Sequence, residues 1–198
     1  AVLFASEGAR VVVSDLNPKK ANDTVDQIRS NGDKAIQVNG DVSDSTEAQR
    51  MVESSIKHFE RLDILINSAG VSSRNALPPG ASPEQIWDRV IAVNLKGTYL
   101  PTWFAVPEMK RIGGGSIVNL SSIIGLVAYN AERGLPFDPY PASKGGVIQF
   151  TRNLAVGCAR DNIRVNCICP GYVWSPLTEP LTKERDSLED LEKRHPMG

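Results

Sequence analysis

The 198-residue sequence predicts a doubly wound α/β domain on a parallel sheet. Three observations carry the prediction. Apolar, β-branched runs alternate with stretches of helical periodicity. The runs are continuous rather than alternating, as in strands covered on both faces. Each run ends in small, acidic or turn-forming residues.

The elements follow in order. "ARVVVSD" (9–15) reads as a first buried strand ended by an acid. Asn17-Pro18 opens a helix with proline in its first turn. Ala21, Val25 and Ile28 form its apolar stripe, and Asn31-Gly32 end it. "KAIQVNGDV" (34–42) is the second strand, after which Ser43 or Asp44 caps a helix striped by Ala48, Met51, Val52, Ile56 and Phe59. "LDILIN" (62–67) is the third strand. Ser82-Pro83-Glu84-Gln85 is a capping box that begins a long helical stretch to about Arg111. "SIVNLSS" (116–122) is the fourth strand, a helix starts near Pro139, and "IRVNCIC" (163–169) is the fifth strand.

Bulk properties narrow the function. The chain is long enough for one domain with a sizeable core, and residues 1–198 read as a single unit. Its formal net charge of −1 gives no electrostatic footprint for nucleic acid or an anionic membrane. No apolar run approaches a membrane span. The three cysteines, Cys158, Cys167 and Cys169, suit neither a disulfide framework nor a metal site, because no further Cys or His stands at ligand spacing. A reducing, cytoplasmic setting and no metal are therefore expected.

Ligands of open α/β sheets bind outside the carboxyl ends of the strands. Asp15, then Asp41-Val42, Asn67-Ser68-Ala69-Gly70, Ser121-Ser122 and Pro170-Gly171 stand at those five ends. Any one of them alone is a turn or a cap; together they suggest a ligand groove. "PYPASKGG" (139–146) adds a phenol and an ammonium, Tyr140 and Lys144, one helical turn apart. That pair by itself is equally a local surface contact.

The segments "VVVSDLN", "GDVSD", "ILINSAG", "VNLKG", "GGGSIVNLSS", "YPASKGG" and "RVNCICPGYVWSP" settle the reading by their order and spacing. The chain resembles the short-chain dehydrogenase/reductase family almost from end to end. The resemblance implies a Rossmann-like, NAD(P)-dependent dehydrogenase or ketoreductase moving a hydride between a nicotinamide and an alcohol or carbonyl substrate. By the same resemblance Tyr140 is the catalytic acid/base, Lys144 its partner, Ser122 the residue that orients the substrate oxygen, and Asn94 the holder of a relay water. Cofactor contacts carried over are Asp15 to the adenosine ribose, Asp41 and Val42 to the adenine, and Asn67, Ala69 and Gly70 along the cofactor. Tyr140, Lys144 and the Pro170-Gly171 loop, through Val173 and Ser175, complete the set at the nicotinamide end.

Chemistry gives that assignment a reason. A free phenol titrates near ~10, and a nearby ammonium lowers that value towards neutrality, where proton transfer is efficient. Asp15 suits the two ribose hydroxyls of NAD and repels the phosphate of NADP, so NAD is expected over NADP. Lys19 and Lys20 follow on the next helix, where they read as solvated surface charge.

The sequence departs from the family in three places. Asn67-Ser68-Ala69-Gly70 carries serine where the family usually has a second asparagine. The interval from Ser122 to Tyr140 is longer, and its "NAERGLPFDP" is expected to form a loop at the mouth of the substrate pocket. The family's opening strand and Gly-rich turn have no counterpart: "AVLFASEGA" resembles the end of the helix that follows that turn, and "HPMG" the point where the family goes on to a further helix and strand. The expectation is an incomplete domain without the first and last strands. The strands ending in Asp15 and Asn67 would then either face each other across a strand-wide gap or pair directly. A non-catalytic NAD-binding or scaffold module, an inactive fragment of the enzyme, and a sugar-nucleotide epimerase are the alternatives. Substrate choice is expected to rest in residues 72–79, 127–138 and 176–193, with Trp174, Leu177 and Leu181 as apolar lining. The family's usual helix-pair interface implies a homo-oligomer, a homotetramer.

Overall fold

The computed structural model describes residues 1–128, 136–175, 177–179, 189 and 192–193. Asn130, Glu132, Arg133, Leu181 and most of 176–193 lie outside the described residues.

Among the described residues five parallel strands alternate with helices: α1 (Val2–Ser6), β1 (Val11–Asp15), α2 (Pro18–Ser30), β2 (Ala35–Asn39), α3 (Ser45–Phe59), β3 (Ile64–Asn67), α4 (Pro83–Ile91), α5 (Gly97–Arg111), β4 (Gly115–Leu120), α6 (Pro139–Cys158) and β5 (Ile163–Ile168). The expected caps are present. Asn17 accepts from the N–H groups of Lys19 and Lys20, Asp44 rather than Ser43 caps α3, and Ser82 and Gln85 bond reciprocally. The stretch from Pro83 to Arg111 is helical throughout, as expected, but not uniform. Five residues, Ala92–Lys96, form a π-helical turn between α4 and α5. Such turns widen the backbone ladder and are common at functional positions.

The strands form two parallel sheets instead of one. β1 pairs with β2, Val11 opposite Ala35 through Asp15 opposite Asn39. β4 lies between β3 and β5, with Ile117 opposite both Leu65 and Val165. Each sheet has its own core. Val25, Ile28 and Ala35 pack with Ala5 beside the first, and Val52, Ala105, Met109, Ile117, Ile163 and Val165 pack beside the second. Between β1 and β3 lies a cavity of about 750 Å³ lined by Val11, Val12, Val13, Ile64, Leu65 and Ile66. Among the described residues no strand separates β1 from β3, so the expected gap is present and direct pairing is not. Ile64 and Ile66, which the sequence places in a buried strand, are 43% and 39% exposed as a result.

The triple glycine at 113–115 turns the chain from α5 into β4. Gly114 has φ +145°, and a Cβ there would stand 2.6 Å from the Asn162 carbonyl oxygen. Only glycine fits this approach.

Candidate active site

The carboxyl ends of β3 and β4 and the first two turns of α6 converge. Tyr140 is half-buried in the first turn of α6, and its side chain is hydrogen-bonded to that of Ser122. Ser122 is extended and caps the short 3-10 turn after β4. Lys144, 5% exposed, stands one turn further along α6, with its ammonium 5.7 Å from the Tyr140 ring centroid. That ammonium donates to the Leu120 carbonyl at 2.8 Å. Ser121 donates to the Lys144 carbonyl at 2.7 Å, so β4 and α6 are fastened at this level. Gly125 permits the contact: a Cβ there would lie 2.8 Å from the carbonyl carbon of Lys144.

Asn94 reaches the same point from the π turn and is fully buried. Its Oδ1 accepts from the Val71 N–H at 2.8 Å and its Nδ2 donates to the Val71 carbonyl at 2.9 Å. Nδ2 also donates to Ser143 Oγ at 3.0 Å, and that hydroxyl donates to the Tyr140 carbonyl at 2.7 Å. A Cβ on Gly70 would touch both Asn94 Oδ1 and Lys144 Nζ at 3.4 Å. The four residues expected to do chemistry are thus brought together.

Electrostatics correct one expectation. The phenol of Tyr140 is pushed above its ordinary value, not below it. Burial is the largest cause, Asp138 adds to it, and the Ser122 hydrogen bond opposes both. The ammonium of Lys144 faces the ring and the Leu120 carbonyl, and burial draws its own pKa down to about 8.

The expected cofactor contacts divide. Asp15 is exposed at the end of β1, where its carboxylate accepts from the Asn17 N–H at 2.7 Å. Asp41 and Val42 are half-buried after β2, and Val42 packs against Gly97. Ala69 and Gly70 are exposed after β3, while Pro170, through its carbonyl, accepts from the Ile123 N–H at 2.9 Å. Gly171 and Val173 are exposed, and Ser175 bonds with Thr178. Asn67 differs. Its carboxamide turns inward, donating to Thr102 Oγ1 and Asn119 Oδ1 at 2.9 and 2.8 Å.

Sequence reasoning missed Arg89. It donates to Asp41 at 2.9 Å and to Ser43 Oγ at 3.1 Å. Burial pushes Asp41 up, but the two Ser43 hydrogen bonds and the Arg89 guanidinium hold it below the usual carboxylate range. The two partners are 48 residues apart, and no local pattern joins them.

A family model described as short chain dehydrogenase matches residues 1–186. The chain belongs to the short-chain dehydrogenase family. It is 37% identical over 195 residues to an uncharacterized oxidoreductase of Thermotoga maritima, covering 98% of this chain and 74% of that one. It is 36% identical over 197 residues to the 3-oxoacyl-[acyl-carrier-protein] reductase FabG of the same organism, covering 100% and 76%. A gluconate 5-dehydrogenase from Burkholderia cenocepacia, solved with NADP and tartrate, superposes with a TM-score of 0.82 at 28% identity, covering 98% of this chain and 74% of that one. Membership makes this short-chain dehydrogenase an oxidoreductase of a family that binds NAD(P). Among the described residues no helix is long and apolar enough to cross a membrane, and no cluster of His, Cys, Asp or Glu could hold a metal ion.

Proposed function

We propose that this short-chain dehydrogenase uses NAD to interconvert an alcohol and its carbonyl compound, with Tyr140 as acid/base. The convergence of Tyr140, Ser122, Lys144 and Asn94 on one point carries the reading. When bound, the nicotinamide supplies the hydride donor or acceptor. The residues fit such a cofactor: an exposed carboxylate ends β1, a glycine follows β3 where a Cβ would reach contact with Lys144 Nζ, and the Pro170-Gly171 loop with exposed Val173 follows β5.

The residues of the chain divide the work. Ser122 holds the substrate oxygen beside the phenol. Tyr140 gives its proton to that oxygen in carbonyl reduction and takes it back in alcohol oxidation. The raised pKa keeps the phenol protonated at neutral pH, which suits reduction. Lys144 serves both the phenol and the cofactor ribose, and Asn94 holds a relay water. Asp15 accepts from the ribose hydroxyls and favours NAD over NADP.

Self-association through α5 and α6 completes the proposal. Tyr99 and Phe150 meet edge to face, with ring centroids 6.0 Å apart, and Trp103, 61% exposed, lies beside Tyr99. Such exposed aromatic groups favour burial against another copy.

The deciding experiment incubates the protein with NAD and a panel of alcohols and follows nicotinamide absorbance. Tyr140→Phe should abolish nearly all turnover and leave NAD binding intact. Turnover within a few-fold of the parent protein removes the acid/base assignment.

A further inference from the structure

We propose that Asp138 is a positioning residue: its carboxylate clamps the loop after β3 to the first turn of α6, and so fixes where the Tyr140 phenol meets the substrate. The inference rests on the acid/base reading of Tyr140 given above.

The geometry is a single shared oxygen. Asp138 caps α6, and its Oδ1 accepts from the Tyr140 N–H at 2.9 Å. The same oxygen accepts from the hydroxyl of Ser73, 65 residues away in sequence. Ser73 belongs to a tight turn in which Asn75 Oδ1 accepts from the Ser72 N–H at 2.8 Å and from Ser72 Oγ at 3.0 Å. Two residues earlier, Asn94 grips both backbone groups of Val71. The segment Val71 to Ser73 is therefore tied at both ends. Each tie leads back to the first turn of α6, one through Ser143 and one through Asp138. This segment follows Gly70, where a Cβ would stand 3.4 Å from both Asn94 Oδ1 and Lys144 Nζ, so it borders the site as a wall. Without the Asp138 tie the wall is held at Val71 alone, and its far end is free to move relative to Tyr140. Misplacements of about 1 Å cost as much as 10²-fold in rate.

Asp138 acts by charge as well. Its carboxylate disfavours the phenolate, whereas Ser122 and the ammonium of Lys144 face the phenol as hydrogen-bond partner and cation. Position and charge are separable. Asparagine keeps an oxygen acceptor at the cap and removes the charge, and Ser73→Ala removes the clamp while leaving the cap.

The test uses the full chain and two readouts that need no substrate. Tyrosinate absorbance is titrated in the parent protein and in Asp138→Asn, each against its Tyr140→Phe counterpart, so that the difference reports Tyr140 alone. The Tyr140 step should fall by about half a pH unit in Asp138→Asn. Amide exchange across residues 71–75 should be about tenfold or more faster in Ser73→Ala and Asp138→Ala than in the parent, and near the parent rate in Asp138→Asn. A Tyr140 step that does not move, or exchange unchanged in both clamp variants, overturns the proposal. Loss of the acid/base reading is distinguishable, because it appears as retained turnover in Tyr140→Phe and leaves the titration and the exchange as stated.

Discussion

Asn94 binds both backbone groups of Val71 with one carboxamide, at 2.8 and 2.9 Å, from inside a π-helical turn. The π turn makes this possible. Thr98 donates its hydroxyl to the Asn94 carbonyl at 2.8 Å, and the side chain is left to serve the loop after β3 and Ser143. Asn94→Ala strands buried partners on both sides, each costing about 1–3 kcal/mol. The expected loss is about 2–4 kcal/mol of stability, measured as a lower urea midpoint with an unchanged m-value. A loss below about 0.5 kcal/mol, the size of an ordinary surface substitution, contradicts the role.

Lys144 makes stability depend on pH in a defined window. Its pKa in the fold is about 8, against 10.5 for the free side chain. Between these values the unfolded chain carries a proton that the folded chain has released. Stability contributed by this residue therefore rises with pH from about 8 to 10.5, at no more than about 1.4 kcal/mol per pH unit. Below that window both states are protonated and the burial cost is fully felt. Lys144→Met should remove this slope and raise the thermal midpoint at pH 7 while abolishing activity. Denaturant titrations of the two proteins across that range measure the difference. Parallel curves refute the assignment.

Asp41 behaves in the opposite sense. Its folded pKa lies below the usual value, so the stability it contributes is present above the unfolded pKa and is lost as pH falls through the folded one. Arg89→Gln weakens the hydrogen bond and the charge that hold Asp41 down. The acid-unfolding midpoint followed by circular dichroism should move to higher pH. An unmoved midpoint shows that the Ser43 bonds suffice without Arg89.

Coenzyme choice is expected to follow Asp15. Its carboxylate is exposed, and the neighbouring Leu16 is 62% exposed, so an arginine fits there without disturbing the core. Asp15→Ser with Leu16→Arg removes a repulsive charge and adds a phosphate partner. The ratio of NADP to NAD affinity should rise about tenfold or more, as read by calorimetric titration. Tighter binding of NADP than NAD by the parent protein refutes the reading of Asp15.

Local chemistry was legible in the sequence, and long-range pairing was not. The Asn17, Asp44 and Ser82 caps, the apolar stripes of α2 and α3 and all five strands follow from residues within a few positions of one another. Tyr140 and Lys144 share a helix, so their meeting was readable from spacing. The π turn was not, because Ala92–Lys96 has ordinary helical composition and its distortion is rewarded only by Val71 and Ser143, 23 and 49 residues from Asn94. The inward turn of Asn67 likewise depends on Thr102 and Asn119. The phenol's pKa was misjudged because spacing to Lys144 was visible and the depth of burial was not.

The cavity between β1 and β3 makes a final prediction about the sheets. A parallel strand directs the N–H and C=O groups of alternate residues to opposite sides. β1 bonds to β2 on one side and β3 to β4 on one side, so each offers alternate groups to the cavity. β4 is bonded on both sides from Ser116 to Asn119. Alternate amides of Val11–Asp15 and Ile64–Asn67 should therefore exchange about 100-fold or more faster than those of Gly115–Leu120, since exchange reports local opening. Side chains on these open edges should tolerate charge better than the core. Ile66→Lys, at 39% exposure, should cost much less than Ile117→Lys, which buries a charge at 0% exposure. The lysine at position 66 should also reduce aggregation, because a cation on an open strand edge discourages edge-to-edge pairing. Uniform protection across β1, β3 and β4, measured by amide exchange in solution, would mean that the two facing edges are covered by another strand, and Ile66→Lys would then be as damaging as Ile117→Lys.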